Sequence, residues 1–256
     1  MVQENTGPQT PVKTAERTFE LVEFLKDADG ATLTEATEAV GLPKSSVHNY
    51  LKTLEHRGYV VETDGVYEVG LRFLDLGAYA RTNVPLYPVA EPELETVAAE
   101  TGELANLLVE QDGRGTFVYR KKGENAVKID SYNGQQVLLH TTAIGKAVLA
   151  NLPKDRVDAI LDQHGLPAKT EHTITDREEL HDELDEIRAE GFSYDREERI
   201  HGLKCIATPV FHGEEVAGAI SVTGPTSRMS EERVENELKQ HLRNAKNVVE
   251  LNLSHS

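Results

Sequence analysis

The spacing of apolar positions changes several times along the chain, and each change marks an element. Over residues 13–28, Ala15, Phe19, Val22, Phe24 and Leu25 recur at near-helical spacing, and Asp29-Gly30 stops the run. Thr32 or Thr34 then offers a cap for a short helix through Val40, with Gly41 as its terminator. Pro43 opens a third helix at a position where its missing N–H costs nothing. Val47, Leu51 and Leu54 fall on one face of that helix, and Gly58 ends it. Residues 59–62 and 67–69 flank Asp64-Gly65, a two-residue hairpin signal. The order is helix, helix, turn, helix, hairpin. A helical connector follows over residues 71–84, closed by Pro85 and Pro88, which disfavour helix in the residues before them.

Beyond the prolines the pattern mixes both periods. Residues 92–100 predict a helix ending at Thr101-Gly102, and 105–110 and 115–120 predict strands around Asp112-Gly113. Residues 126–131 and 136–140 read as two more strands. Thr141 or Thr142 caps a helix through Leu152, which Pro153 stops. Residues 177–190 form an amphipathic helix with Leu180, Leu184 and Ile187 inward. Residues 202–211 and 215–223 form a strand pair turning at His212-Gly213, and 231–253 a long final helix. Strands and helices without regular βαβ alternation predict an α+β domain with an antiparallel sheet. The expected division is a disordered tail over 1–10, a first domain over 11–70, a helical linker over 71–85 and a second domain over 86–256.

Composition narrows the function classes. The 256 residues suit two domains, and no apolar run approaches the roughly 20 residues that span a bilayer. The polar leader lacks the basic-then-apolar order of a signal peptide, so a cytoplasmic protein with no membrane partner is expected. A single cysteine, Cys205, excludes a disulfide within the chain and disfavours a cysteine zinc site; the ten histidines form no ligand cluster. No cofactor or metal is expected. The 44 acidic residues against 27 basic ones give a net charge of −17, which by itself opposes DNA binding. Acids spread along the chain, with few lysines, also suit a halophile's cytoplasm. In molar salt the Debye length falls to about 3 Å, so net charge acts weakly at a distance and local contacts decide.

Against that background the helix opening at Pro43 stands out. Opposite its apolar face it carries Lys44, Ser45, Ser46, His48, Asn49 and Lys52, side chains of the kinds that contact base edges and phosphates. Residues 43–57 hold Lys44, Lys52 and Arg57 against Glu55, so the local charge is 3 − 1 = +2 inside an acidic chain. In a helix-turn-helix the second helix enters the major groove. An ordinary solvated polar face is the competing reading, and the ordered set of short helix, turn, capped helix and hairpin counts against it.

Over nearly its whole length the sequence resembles the IclR family of transcription regulators. The resemblance rests on Lys13-Thr14-Ala15-Glu16-Arg17, on the run from Ser45 through Leu51 to Leu54-Glu55-His56-Arg57-Gly58-Tyr59-Val60, and on Tyr67-Glu68-Val69-Gly70. It continues in Leu139-His140-Thr141-Thr142-Ala143-Ile144-Gly145-Lys146-Ala147, in Glu197-Glu198 through Gly202, in Ile206-Ala207-Thr208-Pro209-Val210-Phe211 and in Ser221-Val222-Thr223-Gly224-Pro225. Each motif alone is modest; their order and spacing are specific. The resemblance implies a winged helix-turn-helix joined to a GAF-like effector domain, acting on double-stranded operator DNA as a homodimer or dimer of dimers.

Three features of the second domain suggest a pocket independently of the family. Ser221 and Thr223, two apart on a strand, face the same side. The start of a helix at 141–145, with small residues, would favour an anion. Asp195 and Cys205 flank a turn-rich stretch leading into a strand. The family resemblance implies effector contacts at Ala143, Ile144, Asp195, Leu203, Cys205, Ser221 and Thr223. Ile144 is bulkier than the small residue some relatives carry, and Thr223 stands in place of Ser, so no relative's ligand transfers. A small organic effector, a carboxylate or a sugar-derived metabolite, fits such a lining, with catabolic genes as targets. Bland readings stand beside this one: Cys205 as a small buried hydrophobe, Asp195 as a turn cap.

Two other functions compete. Cys205, His201 and Asp195 superficially resemble a nucleophile, base and orienter, but on a strand positions 201 and 205 lie some 13 Å apart at about 3.3 Å per residue. Nothing else supports catalysis, and no enzyme is expected. The other alternative is a sensor whose winged helix docks a protein partner rather than DNA.

Overall fold

The computed structural model describes residues 12–129 and 131–255, and contacts divide the chain into two compact units that part between Ala80 and Arg81. The tail expected over 1–10 lies outside the described residues.

The first unit runs α1 (Lys13–Asp27), β1 (Ala31–Thr32), α2 (Leu33–Val40), α3 (Lys44–His56), β2 (Val60–Thr63), β3 (Val66–Val69). Thr32 caps α2: its hydroxyl accepts from the Glu35 N–H at 3.3 Å, and the Glu35 carboxylate accepts from the Thr32 N–H at 2.8 Å. Asp64 and Gly65 both adopt positive φ, 53° and 85°, as a two-residue hairpin of strand-matched twist requires. The periodicity missed β1, two residues that pair with β3 and extend the hairpin to the order β1-β3-β2. It also misplaced the inner stripe of α1. Leu21 and Leu25, four apart, are buried on one face, whereas Phe19, two residues from Leu21 and so on the opposite face, is 61% exposed, and Ala15 is exposed too. Leu21, Leu25, Ala36, Val47, Leu51, Leu54, Val60 and Tyr67 make one small core. Helix α4 (Arg72–Thr82) follows. Its first turn is tied to the hairpin by Arg72, which donates to the Arg57 carbonyl at 3.1 Å and lies over the Tyr59 ring.

In the second unit the prolines do not break the chain where the sequence suggests. Helix α5 (Leu86–Thr101) starts just after Pro85 and contains both Pro88 and Pro92. Pro88 sits in the first turn, where no N–H has an intrahelical partner. Pro92 forfeits one bond, which burial of Leu86, Ala90, Leu94, Val97 and Ala98 outweighs. The remaining elements are β4 (Leu104–Gln111), β5 (Arg114–Lys122), β6 (Gln136–Leu138), α6 (Ala143–Leu149), α7 (Lys154–His164), α8 (Arg177–Glu190), β7 (Ser193–Arg196), β8 (Leu203–His212) and β9 (Glu215–Pro225). The final helix is α9 (Glu231–Arg233), a π-helical turn (Val234–Leu238) and α10 (Lys239–Leu253).

The strands form one six-stranded antiparallel sheet, β6-β5-β4-β9-β8-β7. One face packs on α5 and α10 through Leu94, Leu107, Ile206, Ile220, Leu242 and Val249. The other carries α6, α7 and α8 through Leu108, Ile144, Leu149, Ile160, Leu184 and Ala207. The chain is α+β, as the pattern predicts. Residues 126–129 and 131, read as a strand, are irregular, and the edge strand β7, which the pattern did not assign, is short and shows itself only through its pairing with β8.

Candidate DNA-reading helix and effector cavity

Val47, Leu51 and Leu54 anchor α3 in the core of the first unit, which turns the opposite face outward. Lys44, Ser45, His48, Asn49 and Lys52 are exposed and Ser46 is half-buried. The side chains expected to read DNA therefore share one solvent-facing surface that begins at the helix N-terminus. Lys52 carries a feature the sequence did not show. It bridges Glu55 and Glu62, each at 2.7 Å, and both carboxylates raise its pKa. A phosphate at Lys52 would compete with that pair.

In the second unit, sheet register gathers the other candidates. Asp195 pairs with Cys205 across β7 and β8, Cys205 with Thr223 across β8 and β9, and Ser221 with Asn106 across β9 and β4. Cross-strand partners share a face, so these side chains line up beneath α6. A cavity of about 30 Å³ lies there, lined by Ile144, Asp195, Leu203, Cys205, Ser221 and Thr223, together with Asn106, Phe117, Arg120, Ile129, Thr142 and Arg199. Six of the seven expected effector residues line it. Ala143 is fully buried behind that lining, in the core between α6 and the sheet.

Hydrogen bonds fix the floor. Asn106 Nδ2 donates to Ser221 Oγ at 3.0 Å and Thr223 Oγ1 at 3.2 Å, and its Oδ1 accepts from Arg120 Nε at 2.8 Å. Thr223 Oγ1 donates to Cys205 Sγ at 3.1 Å. Burial pushes the Cys205 thiol up to about 12, so it stays protonated and inert. His201, 62% exposed, faces Glu171 rather than Cys205, so no nucleophile–base pair forms between them. At the start of α6 the Gly145 N–H is taken by Thr142 Oγ1 at 3.0 Å, which leaves the expected helix-end anion site without that donor.

The family model "Bacterial transcriptional regulator IclR C-terminal" matches residues 78–250, and "IclR helix-turn-helix domain" matches residues 14–64. The chain belongs to the IclR family. This IclR-family regulator is 31% identical to the probable HTH-type transcriptional regulator ArcR of Halobacterium salinarum, over 97% of each chain. A solved IclR transcriptional regulator from Alicyclobacillus acidocaldarius is 29% identical, with a TM-score of 0.80 over 95% of this chain and 99% of that one. An IclR homolog from Microbacterium hydrocarbonoxydans, solved with 4-hydroxybenzoate, shares the fold at 23% identity, with a TM-score of 0.79 over 95% of this chain and 100% of that one. The protein is thus a transcriptional regulator with a helix-turn-helix and a C-terminal effector-binding domain, and not an enzyme. Among the described residues no helix is long and apolar enough to cross a membrane.

The loop from β7 to β8 holds the IclR-family cavity in shape. Asp195 Oδ1 accepts from the Glu198 N–H at 2.7 Å. Burial first, then the Glu198 charge, pushes the Asp195 carboxyl up to about 6. Glu198 in turn accepts from the fully buried Lys146 at 2.6 and 2.8 Å, and Glu183 closes on the same ammonium. Thr173 Oγ1 donates to the Glu198 carbonyl at 2.5 Å, and Thr170 Oγ1 to the Glu197 carbonyl at 2.8 Å. Asp195 is therefore a turn cap and a cavity wall at once.

Sequence reasoning missed Asn106, Phe117, Arg120 and Arg199. Asn106 is 1% exposed between the apolar Ala105 and Leu107, and such a residue is the one local signal of a buried polar site. Nothing local marks the two arginines, which reach the cavity only through sheet register and loop closure.

Proposed function

We propose that this IclR-family protein binds operator DNA through α3 and changes its affinity when a small organic effector enters the cavity beneath α6. The single observation that supports the effector half is a cavity lined by Ile144, Asp195, Leu203, Cys205, Ser221 and Thr223, polar at its floor. On this reading residues 11–70 are the DNA-binding domain, 71–85 the linker and 86–256 the effector domain. Lys44, Ser45, Ser46, His48, Asn49 and Lys52 face base edges and phosphates, and the regulated genes are catabolic. The 4-hydroxybenzoate bound by the Microbacterium relative supports a carboxylate as effector.

The cytoplasmic regulator acts as a homodimer or dimer of dimers. Leu71, Leu74 and Leu76 are 83%, 68% and 49% exposed, and α4 buries no residue of its own, which suits a helix completed by a second copy. Effector binding then biases the spacing of two α3 helices, a coupling typically worth about 1–3 kcal/mol.

The test is binding of the purified protein to its own upstream DNA against scrambled DNA in molar potassium chloride. Selective binding is expected, weakened by Lys44→Ala and Asn49→Ala in a chain that still melts cooperatively. Loss of selectivity at every salt concentration would favour the alternative in which the winged helix docks a protein, and unchanged affinity in both variants would remove α3 from the interface.

A further inference from the structure

Two guanidinium groups and the Lys204 side chain line the cavity against a single lining carboxyl, that of Asp195. Arg120 is fixed by its Nε bond to Asn106 and by stacking 4.3 Å from the Phe117 ring centroid. Its Nη1 is buried and has no hydrogen-bond partner. Arg199 lies 5.7 Å from the same ring centroid. Among the described residues neither forms an ion pair, although the chain carries 44 carboxylate side chains against 27 lysines and arginines. The nearest acidic charge to Arg199 inside the cavity is Asp195, whose carboxyl is itself drawn toward protonation. Guanidinium remains charged in proteins, and a half-buried one without an anion is a costly arrangement unless something else supplies the charge. The aromatic ring compensates in part. Arg120, Arg199 and Lys204 line this hollow against one lining acid, Asp195, and the buried Arg120 Nη1 is left without a partner, which makes the hollow a receptor for an anion from outside.

We propose that Arg120 and Arg199 jointly bind the carboxylate of a small organic acid, so that the effector of this protein is an anion recognised by a two-arginine clamp. The proposal rests on the reading of this cavity as the effector site. The free volume of about 30 Å³ is two water-sized positions at roughly 10–15 Å³ each, the footprint of one carboxylate. Fully buried Ser221 and Asn106 close the floor, whereas half-buried Ile129 and exposed Ile200 stand at the lip. The acid group therefore goes in first, and the rest of the ligand points outward between the two isoleucines. Arginine's planar fork suits two oxygens at fixed separation, and Asn106 holds one fork in orientation before the ligand arrives.

The probes are malonate and its neutral isostere malonamide, titrated into the full-length protein at constant ionic strength and followed by thermal shift and calorimetry. Malonate is expected to bind saturably and malonamide not to bind. Arg120→Met and Arg199→Met should each weaken malonate by about thirtyfold or more, the effect of removing one partner of a buried charged hydrogen bond. A second readout separates a clamp from a structural role. Replacing an unneutralised cation by an apolar side chain should leave the ligand-free melting temperature of Arg120→Met equal to or above that of the wild type. Arg120→Lys should retain charge but lose most of the affinity. Equal binding of malonamide, absence of malonate binding by the folded wild type, or full affinity in both methionine variants overturns the clamp. DNA selectivity measured on the same preparations separates the two failures: intact selectivity without anion binding sinks this inference alone, and lost selectivity sinks the regulatory reading.

Discussion

Lys146 offers the sharpest stability test, because its ammonium is fully buried on α6 and its two counter-charges lie on different elements. Glu183 belongs to α8, and Glu198, 7% exposed at its side chain, belongs to the β7–β8 loop. Lys146→Met keeps most of the side-chain volume and deletes the charge. Glu198 then keeps its burial but loses both hydrogen bonds from Lys146. Breaking a buried pair from one side typically costs about 3–5 kcal/mol, a large part of a total stability of about 5–15 kcal/mol. Even with Lys146 present, burial holds the Glu198 carboxyl above the usual carboxylate range; without it the carboxyl moves higher still. The sign follows. A carboxyl that binds its proton more tightly in the native state stabilises the fold at low pH, and this is lost as pH rises toward its native pKa. The penalty of Lys146→Met should therefore be larger at about pH 8 than at about pH 5, as read from guanidinium chloride midpoints at each pH. Lys146→Met with Glu198→Gln should recover about 2 kcal/mol of the loss, since the orphaned charge is gone. A single variant within about 0.5 kcal/mol of wild type, or a penalty identical at both pH values, would refute the reasoning.

Three further outcomes follow from the same geometry. With Asp195 raised from an ordinary 3.8 to about 6, the native state holds the extra proton, so stability should fall by at most about 3 kcal/mol between about pH 4 and pH 6 and level off above; Asp195→Asn should flatten that slope in pH-resolved denaturation. Gly145→Ala places a Cβ 2.2 Å from the Leu139 carbonyl oxygen, a backbone atom that cannot swing away, and should cost about 1–3 kcal/mol or more by thermal denaturation; a neutral variant would contradict the packing of α6. Leu74→Glu, at a position 68% exposed, should leave the melting temperature of the monomer fold unchanged and lower the mass seen by light scattering, whereas an unchanged mass would place the assembly surface elsewhere.

The legible parts of this chain were those fixed by neighbours in sequence. Thr32 was legible as one of two candidate caps, Asp64-Gly65 needs only two residues, and Val47, Leu51 and Leu54 announce an inner face without reference to any partner. The alternation of Ser221 and Thr223 put both hydroxyls on one side, and the sheet bears that out through Asn106, which binds both. What stayed hidden depends on pairing across long sequence distances. Pro88 reads as a break and Pro92 as a helix start because local geometry disfavours proline inside a helix, and burial of Leu86, Ala90 and Leu94 overrides that preference. Asn106 and Arg120 meet only through the β4–β5 register, and that register shifts at a bulge between Leu107 and Leu108, which no local pattern announces.

The bulge matters beyond legibility, because Leu108 pairs with Phe117 immediately past it while Asn106 pairs with Arg120 before it. Without the extra residue, strict alternation would send Phe117 and Arg120, three apart in sequence, to opposite faces of the sheet. With it, the ring and the guanidinium come together at 4.3 Å on the cavity side. Arg199 reaches the same ring from the β7–β8 loop, whose shape depends on Asp195, Glu198, Lys146 and the Thr170 and Thr173 hydroxyls. An anion drawn between the two guanidiniums would thus join a rigid sheet position to a loop held by a buried ion pair. That is a physical route by which charge in the cavity can bias the placement of α6 and α8, because the ammonium that holds the loop is rooted in one helix and shared with the other.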